Sequence, residues 1–281
     1  MNTAVTSRGT ATLGDKRISF AGVLRSEFIK LTSLRANMGL LLAIMVSGMV
    51  VNLALALTMG DAGLPSEPSI PFMLDQVTVG TVLFGQLLAG VLGVIVMAGE
   101  YSSGTVHSTL VAVPSRVTVL AAKAVVVFVT VTAVGLVTLV GSWAASYPMY
   151  AAFGLGIGLA APGVALALLS GASYLGFSAV LGLGIGTLLR SVAAGVATVI
   201  SVILLLPLVL SVLPVSPLIR ELHLLTMSKA GDAMVSVADP SAGLMNLADG
   251  YLSPTAGWLV AVAWSGVFLV VGAIRLVRKD A

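Results

Sequence analysis

The chain has no cysteine, which removes disulfides, thiolate metal sites and thiol nucleophiles from consideration. Charge is nearly as scarce. Asp, Glu, Lys and Arg make up 9% of the 281 residues, against about 25% in soluble domains. There are two histidines, His107 and His223, and His223 has no second ligand at metal-binding spacing. No Gly-x-Ser-x-Gly or His-Glu-x-x-His run occurs, and no GxxxxGK[ST] phosphate loop. The serine-hydrolase, zinc-protease and phosphate-loop ATPase routes are therefore closed to this chain. No catalytic, cofactor-binding or metal-binding residue is assigned.

What is abundant is hydrocarbon, with 58% apolar residues. Six runs are long enough to cross a bilayer core of about 30 Å: Met38–Met59, Val79–Gly99, Val117–Ala145, Pro162–Leu189, Val192–Leu213 and Gly257–Ile274. They do not alternate as barrel strands do, so backbone hydrogen bonding in lipid makes them helices. Breakers such as "GDAGLPSEPSIP", "YPMYAAFGLG" and "PVSP" fall between the runs. Only Arg190 and Ser191 separate the fourth and fifth runs, which predicts a tight helical hairpin. The first run starts too late and is too long for a cleaved signal peptide.

An even number of spans places both termini on one side. Twelve of the fourteen Lys and Arg residues then lie on that side, and Arg220 and Lys229 lie on the other. The positive-inside rule makes the richer side cytoplasmic. The expected fold class is an all-α integral membrane protein with six transmembrane helices. Residues 1–19 are expected as a disordered cytoplasmic tail, 20–36 as an amphipathic connecting helix at the interface, and 37–281 as the six-span domain. The outer loop over 214–256 is expected to hold two short helices, in "PLIRELHLL" and "PSAGLMNLADGYL".

Several pieces resist the bland reading. In "ISFAGVLRSEFIKLTSLR", Phe20, Val23, Leu24, Phe28, Leu31 and Leu34 share one helical face. Glu27 falls inside that stripe, where it must snorkel outward or meet a cation on another polypeptide. No Asp, Glu, Lys or Arg lies at mid-membrane. Asn52 and Gln86 are the main polar residues there, which makes them candidates for a translocation path. Ser178, Gly182 and Gly186 recur at four-residue steps, a pattern for close helix packing.

Between the second and third spans runs "GEYSSGTVHSTLVAVPSR", too polar for lipid yet poor in charge. Thr105 can cap a short helix that places Val106, Leu110 and Val113 on one side. Such a semi-apolar helix suits a groove on a soluble partner. This stretch, followed by "VLAAK", resembles the first cytoplasmic loop of ABC transporter permeases of the ABC-2 type. Glu100, Tyr101, Gly104, Thr105, Thr109, Leu110, Pro114, Arg116 and Lys123 carry the match. "SEFIKLTSLR" resembles the connecting helix of that family at Glu27, Lys30 and Arg35, and "RLVRKDA" resembles its basic tail. Where the family often places a second basic residue after the tyrosine, this chain has Ser102 and Ser103.

The resemblance implies the permease subunit of an exporter in a bacterial plasma (inner) membrane, with both termini cytoplasmic. It implies two copies of a separate ABC ATPase, which would hold the ATP and magnesium. It also implies a second permease copy or a sister permease, membrane lipid around them, and no nucleic-acid partner. The ATPase-coupling residues it implies are Glu27, Lys30, Glu100, Tyr101, Gly104, Thr105, Val106, Thr109, Leu110, Val113 and Arg116. With no fixed charge at mid-membrane, an amphipathic or lipid-like cargo (a drug, a peptide antibiotic or a lipid) is expected. A non-pumping immunity or scaffold protein and a secondary transporter are the rival readings.

Overall fold

The computed structural model describes residues 19–59, 67, 69–102, 104, 115–214, 216–237, 243–246 and 250–278. Most of residues 1–19 and much of the second-to-third-span connection therefore lie outside the described residues. Six helices among the described residues are long and apolar enough to span a membrane.

Helix α1 spans Phe20–Ser33, and the Ser19 hydroxyl accepts a hydrogen bond from the Gly22 amide at 3.2 Å. Its buried face is narrower than the sequence stripe. Val23, Glu27 and Leu31 are covered, while Phe20, Phe28 and Leu34 are exposed. Leu34 is extended and ends α1 short of the expected residue 36. Helix α2, Arg35–Thr58, starts at once, and the Asn37 side chain donates to the Leu31 carbonyl at 3.2 Å. That bond satisfies one of the carbonyls a helix C-terminus leaves open.

Helix α3 runs from Ile70 to Ser102 and helix α4 from Arg116 to Ala152. Both exceed the expected spans. α4 passes straight through Pro148, which had read as a breaker. Proline deletes the backbone bond to the Ala144 carbonyl and crowds it, and the helix ends about one turn further on, at Ala152. The chain leaves the helix at Gly154, whose φ of +73° suits glycine. Asp75 and Lys123 therefore sit inside helices α3 and α4.

Helix α5, Val164–Leu189, is the central element, with residues of α3, α4 and helix α10 (Pro254–Arg278) packed around it. Its small residues explain the arrangement. A Cβ on Gly182 would stand 1.9 Å from the Gly90 carbonyl oxygen, and one on Gly93 would stand 1.9 Å from that of Ala179. The four-residue pattern is thus a backbone-to-backbone crossing of α3 and α5. After Leu189 the chain reverses through Arg190 in the left-handed region (φ 56°), and the Ser191 side chain caps helix α6, Val192–Ile200. The expected hairpin is present. A π-helical turn, Ser201–Leu205, joins α6 to α7 (Leu206–Val212) just ahead of Pro207. The wider turn falls where proline removes a regular bond.

At the opposite end from α1, helix α8 (Pro217–Leu224) and helix α9 (Met227–Met234) form a small cap. Of the second helix expected from Pro240 to Leu252, the described residues 243–246 and 250–252 are not helical. The described part instead pairs Met245–Asn246 (β1) with Tyr251–Leu252 (β2) in an antiparallel ladder. Gly243 and Gly250 both have positive φ, which a helix cannot accommodate. The extra helix, α9, starts at Thr226, whose hydroxyl accepts from the Lys229 amide.

Candidate functional site at the basic end

The end of the bundle that carries α1 gathers most of the described charged residues, and four of them form one cluster. Lys123, on α4, is 2% exposed. Its ammonium lies 2.5 Å from Glu27 on α1 and 2.8 Å from Glu100 near the end of α3. Lys30 adds contacts of 2.7 Å to Glu27 and 3.6 Å to Glu100. Two ammoniums and two carboxylates therefore join three helices.

The cluster answers the question that Glu27 raised. Its carboxylate does not snorkel, and it meets two cations of this chain, Lys123 and Lys30. Burial alone would push the Glu27 carboxyl up. The Lys123 ammonium, with help from Lys30, outweighs burial and holds it below the usual carboxylate range. For Lys30, burial acts to lower the ammonium value. The hydrogen bond to Glu27 and the field of Glu100 prevail and raise it.

The connection between α3 and α4 is fastened at both ends. Before it, the Tyr101 ring carries the Arg190 guanidinium, 4.9 Å from the ring centroid. This contact ties α3 to the α5–α6 reversal. Gly104 donates its amide to the Tyr101 carbonyl at 3.3 Å and has φ +73°. After the connection, the Ser115 hydroxyl caps α4 by accepting from the Thr118 amide. Arg116 then donates to the Leu276 carbonyl near the end of α10 at 3.1 Å. The expected coupling residues Thr105, Val106, Thr109, Leu110 and Val113 lie outside the described residues.

Asn52 and Gln86 are held between helices of the single chain. The Asn52 oxygen accepts from the Gly80 amide at 3.0 Å, and its amide donates to the Thr81 hydroxyl at 3.3 Å. Tyr174 donates its hydroxyl to Gln86. Both side chains are buried; the Asn52 amide and the Gln86 oxygen link α2 and α5 to α3, while the Gln86 nitrogen donates to the Leu83 carbonyl of α3 itself at 3.4 Å.

Sequence reasoning left Lys123, Arg190 and Asn37 out of the site. Lys123 had a usable signal, a cation seven residues inside a spanning helix. Arg190 and Asn37 had none, because their partners are distant in sequence or belong to the backbone.

Six apolar helices with charge gathered at one end define a multi-pass membrane protein. Residues 23–230, well over half of the chain, match the family model described as ABC-2 family transporter protein. The chain belongs to that family and is a membrane permease subunit of the ABC type. Membership implies association with an ABC ATPase. No curated protein matches the chain.

Proposed function

We propose that the chain is the membrane half of an ATP-driven exporter, working as a pair of permeases with two ATPase subunits. Its basic end would face the cytoplasm of a bacterial cell. The cargo would be amphipathic or lipid-like, such as a drug, a peptide antibiotic or a lipid. ATP closure of the ATPase pair would displace the 103–114 connection, and rigid-body movement of the spans would follow.

The observation that carries this reading is the fastening of that connection. A segment that transmits force must be tied to what it moves. Here its flanks engage α1 and α4 through Glu100, the α5–α6 reversal through Tyr101 and Arg190, and α10 through Arg116. In this reading Glu27 and Lys30 brace the surface from behind, while Val106, Leu110 and Val113 enter the ATPase groove.

The test is to compare Leu110→Asp with the parent chain for ATPase co-purification and cargo-stimulated ATP hydrolysis. Burying a leucine contributes about 1.5–3 kcal/mol, and two copies act per assembly, so most of the association should be lost. Unchanged values in both assays would reduce the stretch to a connector.

A further inference from the structure

Beneath the charge cluster lies a cavity of about 580 Å³, bounded by α1, α2, α3 and α4. Its size falls within the 300–1,000 Å³ typical of ligand pockets. Its walls are of two kinds. Ile95 and Val96 from α3 and Val126 and Val127 from α4 supply hydrocarbon, whereas Glu27, Lys30, Glu100 and Lys123 supply charge.

Asn37 also lines it and is 1% exposed. Its amide nitrogen is used by the Leu31 carbonyl, while its side-chain oxygen has no hydrogen-bond partner. A buried acceptor left without a donor calls for an explanation, and at the wall of a cavity the simplest is a ligand that brings one.

We propose that this cavity binds a membrane phospholipid whose head carries a primary ammonium, drawn from the leaflet at the basic end. Three features select that chemistry. The cluster has two positive and two negative groups, so it accepts a zwitterion better than a net anion. The Asn37 oxygen and the Glu100 carboxylate offer acceptors for N–H groups, which a quaternary choline head lacks. Lys30, at 35% side-chain exposure, offers a cation to a phosphate. The apolar walls then receive the first part of an acyl chain. The site does not depend on the export reading and would stand if the cargo or the direction of transport proved different.

The experiment uses the full chain, purified in a mild detergent, stripped of lipid and titrated by native mass spectrometry. The probes are phosphatidylethanolamine, phosphatidylcholine and phosphatidylglycerol. Phosphatidylethanolamine should bind about tenfold tighter than phosphatidylcholine, the size expected of one hydrogen bond to a charged group. Asn37→Leu should erase that preference, and Val127→Trp should weaken binding of all three lipids by filling the space.

Because a tryptophan there can disturb folding, a second readout uses Ser33→Cys in the otherwise parental chain. Ser33 is exposed and lines the cavity. Phosphatidylethanolamine should slow its labelling by a maleimide several-fold more than phosphatidylcholine does. Equal affinity for the three lipids in the parent, an undiminished preference in Asn37→Leu, or equal labelling rates would each overturn the proposal.

Discussion

At the scale of single residues, the Glu27–Lys123 pair governs the rest of the cluster. Removing one partner of a buried ion pair strands the other charge and costs roughly 3–5 kcal/mol, while replacing both with apolar groups is often near neutral. Lys123→Met should therefore lower the thermal stability of the purified chain sharply, and Glu27→Leu combined with Lys123→Met should recover most of the loss. Melting followed by circular dichroism checks this. Simple additivity of the two changes would refute the coupling.

The pH response follows from the same atoms. The folded Glu27 carboxyl lies below its ordinary value of 4.5. Its contribution is thus complete above that pH and fades as the pH falls through the folded value. Lys30 lies above its ordinary 10.5, so its contribution is complete below that pH and is lost as the pH rises through its folded value. Stability should show a plateau between the two flanks, and Glu27→Gln should flatten the acid flank and also weaken the basic one, because Lys30 draws part of its raised value from Glu27. An unchanged acid flank in that variant would assign the sensitivity to another group.

At the scale of elements, the α3–α5 crossing sets how close two backbones must come. Gly182→Val would drive a side chain into the Gly90 carbonyl. The helices must separate, at a cost of about 1–3 kcal/mol or more. Gly39 on α2 is the control, because a Cβ there meets nothing within 4 Å. Gly39→Ala should be stabilising by about 0.5–1 kcal/mol through helix propensity. Melting temperatures that moved alike for both variants would mean that the close approach does not matter.

The spacing of Ser178, Gly182 and Gly186 made this contact readable in advance, as did the Arg190–Ser191 reversal. Other elements were not readable. Proline at position 148 looks like a stop whether or not packing around Tyr150 carries the helix onward. The ladder of Met245–Asn246 with Tyr251–Leu252 depends on glycine geometry that apolar spacing conceals. At the cluster, Glu27, Lys30 and Glu100 had been singled out for the site from the sequence and Lys123 had not. Their pairing was hidden because Glu27 and Lys123 meet only after four helices have assembled.

At the scale of the whole molecule, Arg116 contacts the end of α10 and Glu27 contacts the start of α4. Both observations bring the two ends of the described chain to the basic end. The twelve-to-two distribution of Lys and Arg predicts that this end faces inward. The absence of cysteine makes the check direct. A cysteine introduced by Leu244→Cys, at an exposed position of the opposite end, should react with an impermeant maleimide in intact cells. Ser33→Cys should react only after lysis. The reverse pattern would invert the orientation and the export direction with it.

The buried pair also constrains biosynthesis. Glu27 and Lys123 are 96 residues apart, so a ribosome delivers α1 and the first two spans before the buried lysine exists. During that interval Glu27 has only its near neighbour Lys30 among the two lysines that hold it, and α1 lacks the helix against which it packs. Docking of α1 becomes a checkpoint, closed only when the third span arrives. A nascent chain arrested before Arg116 should leave a Leu31→Cys thiol open to labelling, and one arrested after Ala152 should shield it. Equal labelling of the two would mean that α1 settles without its ion pair.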